Sequence, residues 1–422
     1  MASIVMGRYV GIMVRAVLAV GVAALTCAGA SAGAPTGGPT TQDVTITGAG
    51  GVQLACKFVL PAGTAPDGGW PGLILFPGFP GTPTDGTAFA NFGFASVSCS
   101  ERGLGLSGGS FDLAGAKDAQ DAQAIFGWLG ARPEVSDTQI GAYGVDLGGA
   151  EVWDAAVSGL PFKAIVAGDT WSNLGQALKP TGVLNASLFQ VLSGGGPAPW
   201  NTTPGIAARS YRGHLRSLAI PALIVHLREE YYFDLGQATA AYQLLSGPKR
   251  LYIGAPPLDQ LIAWFEQYLA GGPRAGTGVV LQHEQPDATT THYLQLPPTR
   301  LVSVNLPGGA LTRNVWLTGG PLETFGGGSV TIRYTSASWG QVVARVSTPG
   351  GKLVTEGAAT VKHGAGVLTI PLMNEVMLLP RGKKLVVTLS SHDATFGGTT
   401  TGKIAVGRVT LQLSVLARAV SH

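Results

Sequence analysis

The stretch Gly141 to Gly149, reading Gly-Ala-Tyr-Gly-Val-Asp-Leu-Gly-Gly, constrains this chain more than any other. An apolar run, Thr138 to Tyr143, leads into it, and a helix-like run, Ala150 to Ser158, leads out. A strand that reverses into a helix within a few residues forces its turn residue into a backbone region costing roughly 1 to 3 kcal/mol, and small neighbours relieve the crowding. Gly144 and Gly148 stand two before and two after Asp146. The sequence therefore predicts a sharp turn that presents the side chain of Asp146.

The 422 residues are enough for two domains with ample cores. Hydrophobic residues make up 45% and charged residues 12%, which excludes a disordered chain, and 63 glycines with 27 prolines make it rich in turns. Arg8 and Arg15, the apolar run Ala16 to Leu25 and then Ala30-Ser31-Ala32 have the order of a secretory signal peptide over residues 1–32. An uncleaved anchor is the alternative, although the apolar run is short for a bilayer. Ala24 stands where a lipoprotein signal ending at Cys27 would place a large aliphatic residue, so lipidation is not expected. Cleavage would remove two of 27 basic residues, against 24 acidic ones. The remainder is nearly neutral, and no nucleic-acid or anionic-membrane partner is expected.

After a loose leader at 33–42, Val44 to Ile46 and Val52 to Leu60 read as a hairpin about a Gly-Ala-Gly-Gly turn. Gly72 to Phe76 is a short apolar run opening into Pro77-Gly78-Phe79-Pro80-Gly81, and Phe94 to Cys99 is another. Helical spacing follows in Ala114 to Gly130, then the turn at Asp146, and a strand at Lys163 to Ala167. Trp171 to Arg216 lacks a clear period; beyond it come strands at Ala222 to Val225 and Arg250 to Ile253, and helices at Leu235 to Leu245 and Leu258 to Leu269. This alternation predicts an α/β fold, a mostly parallel sheet with helices on both faces over 43–272, with 171–216 as a lid. From 273 to 422 only short alternating runs appear, such as Val330, Ile332 and Tyr334, so an all-β, jelly-roll-like sandwich is expected there.

In order along the chain, Gly93 to Val97 with Arg102 to Gly109, Asp118 to Leu129 with Trp128, Gly141 to Gly149, Trp264-Phe265-Glu266 with Leu269-Ala270-Gly271, and Gly382 to Leu385 form one pattern. It resembles the α/β-hydrolases that include cocaine esterase, α-amino-acid ester hydrolases and X-prolyl dipeptidyl peptidases, over nearly all of 43 to 416. That family implies an α/β-hydrolase domain, a lid, a C-terminal jelly roll and a serine nucleophile in a G-x-S-x-G elbow. Here the serine falls on Asp146, and the family's acid falls near Glu230. The family's histidine would lie in Ala255-Pro256-Pro257-Leu258, which contains none. The oxyanion hole would use the backbone N–H of Leu147, and near Phe79, where relatives often supply a tyrosine hydroxyl, stands a phenyl ring. In this fold the strands carrying Cys56 and Cys99 are neighbours, so a disulfide is geometrically open to them in an oxidising compartment, as are two separate buried thiols.

Three chemical readings stay open. A carboxylate at an elbow is a nucleophile in haloalkane dehalogenases and epoxide hydrolases, which then need a histidine-activated water. His226, at the carboxyl end of a strand, is the candidate base, with a structural histidine as the bland reading; His214, between arginines, belongs on a solvated surface. Asp146 and Glu230 could instead form an acid/base pair. Alternatively, Asp146 is neutralised by a cation such as Arg228 or by N–H groups of the following helix. Trp171, Trp200, Tyr231 and Tyr232 are the aromatic residues available to line a cleft. No metal-ligand spacing, Walker A loop or dinucleotide fingerprint occurs, so neither metal nor cofactor is expected. The overall expectation is a secreted, catalytically degenerate hydrolase that binds a small molecule, peptide or ester, the alternative being an active hydrolase built on Asp146.

Overall fold

The computed structural model describes residues 37–284, 289–317, 321–379, 382, 384–399 and 402–417. The expected signal peptide at 1–32 and Lys383 lie outside the described residues. Among those described, no helix is long and apolar enough to cross a membrane.

One ten-stranded sheet organises the first part of the chain: β1 (Thr40–Thr47), β2 (Gln53–Leu60), β3 (Trp70–Phe76), β4 (Ala95–Cys99), β5 (Val135–Val145), β6 (Ile165–Gly168), β7 (Ala222–His226), β8 (Lys249–Ile253), β9 (Gly278–Gln282) and β10 (Thr290–Tyr293). Their order is β1-β2-β4-β3-β5-β6-β7-β8-β9-β10. Pairing is antiparallel at both ends and parallel from β4 through to β9. Every residue of β4, β6 and β7 is buried, as a strand covered on both faces must be.

Successive residues divide between the two faces. Ile74, Phe76, Ala142, Ile165 and Ile224 join one core beneath helices at Ala116–Gly130 and Leu147–Val157. Leu73, Leu75, Val166, Leu223 and Val225 join another with Ile262, Trp264 and Phe265 of the helix Leu258–Leu269. The parallel strands therefore end together along one edge, and the turn at Asp146 lies on it.

Two features differ from the sequence expectation. The first sheet does not stop at 272: β9 pairs in parallel with β8, and β10 returns beside β9. Val279, Val280 and Leu281 are at most 1% exposed, but a short apolar run looks the same whichever sheet takes it. Trp171 to Arg216 is not loose either. It holds short helices at Leu174–Leu178, Ala186–Ser193, Thr203–Ala208 and Arg212–Leu215. Asn173, Asn185 and Thr202 cap the first three, their side-chain oxygens accepting N–H groups at 2.9, 3.0 and 3.1 Å.

From Thr299 onward two antiparallel sheets face each other as a sandwich, filled by residues such as Val330, Ile332, Val342, Val387 and Leu411. The sandwich grips the segment 171–216 directly. Thr181 Oγ1 donates to Ala358 O at 2.8 Å and accepts from Ala358 N at 3.1 Å. Thr181→Val strands both buried groups, and should lower the unfolding free energy by ~2 kcal/mol in urea titration.

Cys56 and Cys99 face each other across β2 and β4 and are bridged, 43 residues apart in sequence. Non-reducing peptide mapping should recover these two cysteines in one linked pair.

Candidate active site

β5 delivers Asp146 at φ 59° and ψ −120°, the strained turn that the glycine spacing predicts. A Cβ on Gly144 would lie 2.2 Å from Gly148 O, and one on Gly148 would lie 2.2 Å from Phe76 O. Both contacts are with backbone, so neither position accepts a side chain without moving the turn.

Asp146 is 8% exposed. Its Oδ2 accepts the N–H of Phe79 at 3.4 Å, and the backbone N–H of Leu147 favours the charged carboxylate electrostatically. Phe79 and Leu147 are the expected oxyanion donors, and the fold does bring them together. They hold the protein's own carboxylate. Burial, and after it the charge of Glu230, push Asp146 up to about 7, against the pull of those N–H groups.

Glu230 is buried in the loop after β7, where its Oε1 accepts the N–H groups of Tyr232 at 2.7 Å and Phe233 at 3.4 Å. Between it and the elbow stands a residue that the sequence reading missed, Asp169, at the end of β6. Asp169 has φ 41°, is 4% exposed, and accepts the N–H of Leu227 at 2.6 Å. Burial raises its pKa well above the usual range, with Glu230 and Asp146 adding to the effect. Its position directly after a buried strand, on the edge where such sheets bind ligands, was the available signal.

His226 ends β7 and is 1% exposed. Its Nδ1 faces Asp169 Oδ1 at 4.0 Å, beyond hydrogen-bond distance, and has no hydrogen-bond partner. Burial lowers its pKa to about 4, so the ring is neutral near pH 7. The carboxyl group it faces is that of Asp169 and not that of Asp146. The loop after β8, where a triad histidine would stand, runs Gly254-Ala255-Pro256-Pro257, with Ala255 N donating to Gln282 Oε1 at 2.9 Å.

Arg228, offered above as a cation for Asp146, turns away from it. Its guanidinium binds Glu323 of the sandwich and donates to Gln282 O at 2.8 Å. Of the two neutralising partners considered, backbone N–H groups are the ones that reach Asp146. Trp171 and Trp200 are core residues, 0% and 5% exposed, and Trp171 donates to Arg209 O at 3.1 Å. Tyr231 is 39% exposed, its hydroxyl donating to Glu229 at 3.4 Å, and Tyr232 packs partly buried against the core.

Residues 42–197 match the sequence profile of X-Pro dipeptidyl-peptidase (S15 family). The resemblance is to the S15 hydrolases. A CocE/NonD family hydrolase from Staphylococcus aureus superposes with a TM-score of 0.65 at 13% identity, over 89% of this chain and 93% of that one. An aminopeptidase from a marine sediment Thaumarchaeota archaeon gives 0.64 at 11% identity, over 89% and 94%. An α-amino acid ester hydrolase gives 0.62 at 12% identity, over 92% and 98%. Such identities establish the fold, an S15-like α/β-hydrolase domain followed by a β-sandwich. No curated protein matches the chain.

Proposed function

We propose that this protein is an exported S15-like hydrolase that has lost the family's serine chemistry and uses its elbow to bind rather than to turn over. The observation that carries the reading is the carboxylate of Asp146 occupying the oxyanion position itself, bonded to the N–H of Phe79 and favoured by that of Leu147. An oxyanion hole acts by holding developing negative charge, worth typically ~3 to 4 kcal/mol per donor. Here a carboxylate already takes those donors. His226 is buried beside Asp169, and the loop after β8 offers no ring nitrogen. A bound acyl group would meet neither a hydroxyl nor a base. Export is supported by the Cys56–Cys99 bridge, since disulfides persist in oxidising compartments.

Esters, X-Pro anilides and amino-acid esters, the substrate classes that the relatives' names suggest, should give no turnover above background. Activity with any of them that disappears in Asp146→Asn would overturn the proposal. A second reading has its own observation: Asp146 sits near pH 7 with Glu230 as an electrostatic neighbour, as in an acid/base carboxyl pair. That reading requires a bell-shaped pH–rate profile abolished equally by Asp146→Asn and Glu230→Gln. Intact mass after incubation with haloalkane or epoxide probes covers the aspartyl-nucleophile case, in which an ester would accumulate on Asp146.

A further inference from the structure

A second acidic cluster lies behind the elbow, away from the oxyanion donors. Glu101 follows β4, Asp118 is in the first turn of the helix Ala116–Gly130, and Glu151 is on the helix that starts at the elbow. Each offers one carboxylate oxygen, and these oxygens lie within 4.8 Å of one another. All three residues are buried, at 7%, 7% and 4% exposure. They line a cavity of about 20 Å³ together with Phe76, Pro77 and Arg102, more than the 10–15 Å³ or so that one water-sized sphere needs.

Glu151 supplies an independent observation. Its Oε1 is buried at this cavity without a hydrogen-bond partner, and its side chain otherwise meets the carboxyl of Glu101. The neighbouring cation is already engaged. Arg102 makes a two-pronged pair with Asp121, Nε to Oδ2 at 2.8 Å and Nη2 to Oδ1 at 2.7 Å, and stands 3.5 Å from Asp118 Oδ1. Asp118 Oδ2 accepts the N–H of Gly115 at 3.0 Å. Arg102 thus serves Asp121, Asp118 and Glu101, and its influence on Glu101 and Asp118 does not outweigh their burial. Asp154, further along the same helix, is influenced by Arg209, which is paired with Asp112.

We propose that Glu101, Asp118 and Glu151 bind one divalent cation, calcium by preference, tying the loop after β4 and the two helices together beneath the elbow. Oxygens sharing a calcium ion at 2.3–2.6 Å are separated by at most about 5 Å, which matches their spacing. An all-carboxylate donor set suits calcium or magnesium rather than a thiolate- or imidazole-seeking metal. A carboxyl group ligates a cation only when deprotonated, so protons compete for the site. Cation binding should therefore strengthen as pH rises. This proposal is independent of whether Asp146 turns anything over.

The test is calorimetric titration of the full chain, stripped with chelator and dialysed, using calcium, magnesium and manganese chlorides at pH 8 and pH 6. Calcium should bind at one ion per chain, at least tenfold more weakly at pH 6, and raise the melting temperature by several degrees at pH 8. Glu151→Gln and Glu101→Gln should each weaken binding at least tenfold. Those substitutions remove a buried acid, so their folding can be checked by melting without the ion. No binding by the native chain at millimolar calcium would overturn the proposal, as would unchanged binding in both glutamine variants. Acid stabilisation that is lost in Glu101→Gln and Glu151→Gln, together with no stabilisation of the native chain by calcium at pH 8, would also overturn it, in favour of a proton shared between Glu101 and Glu151.

Discussion

Asp146→Asn is expected to make this protein more stable at pH 8, by about 2 to 4 kcal/mol, and to leave it nearly unchanged at pH 4. The elbow carboxyl moves from its ordinary 3.8 in the unfolded chain to about 7 in the fold, burial being the main cause. Between those values the folded chain keeps a proton that the unfolded chain has released. The stability contributed by that proton is complete below about pH 4 and is lost as pH rises through 7. The interval corresponds to about 4 kcal/mol at 1.36 kcal/mol per tenfold step. Asparagine keeps the shape and an oxygen for the N–H of Phe79 but never ionises. It gives up the stronger hydrogen bonds of a charged acceptor, which is why the expected gain falls below the full interval. Urea unfolding of both chains at pH 4, 6 and 8 measures the difference. Equal stabilities at all three would mean that the fold does not hold this acid against its charge. Asp169 is raised mainly by burial and by Glu230, which both chains share; the variant removes only the smaller contribution of Asp146 to it.

Much of the scaffold could be read from local rules because each rule concerns neighbours in sequence. Leu73 and Leu75 face one core while Ile74 and Phe76 face the other, a period of two written directly in the chain. Gly144 and Gly148 are demanded by backbone overlaps within the same turn. The helices within 171–216 are equally local, their starts marked by the capping residues Asn173, Asn185 and Thr202, but they carry no apolar period to announce them. The end of the first sheet was not local. Whether Val279 to Leu281 extends the parallel sheet or opens the sandwich depends on which edge is free, and only the assembled fold decides that. The site divides in the same way. Asp146, Phe79 and Leu147 meet as the elbow pattern implies, whereas the placing of His226 against Asp169 and of Arg228 against Glu323 depends on the packing of separate strands and loops. Glu101, Asp118 and Glu151 have no common spacing, which is why no metal motif was visible.

Arg102→Ala should be the most damaging single change outside the glycines of the elbow, lowering stability by roughly 3 to 5 kcal/mol. The guanidinium is 3% exposed and forms its paired bonds with Asp121 while leaning on Asp118. Truncation leaves those carboxylates facing Glu101 and Glu151 in a buried pocket with no positive charge between them. The penalty belongs to the stranded acids rather than to the lost bonds. It should therefore shrink as pH falls from 8 to 5: Asp118 and Glu101 already lie near 7 and 8, and both lose the lowering influence of Arg102. The double substitution Arg102→Met with Asp121→Leu removes the charge together with its main partner, and should recover most of the loss. Urea unfolding in calcium-free buffer separates this effect from cation binding. A single variant whose deficit is the same at both pH values, or a double variant no more stable than the single, would mean that Arg102 acts through packing of its aliphatic stem and not by neutralising the acids beneath the elbow.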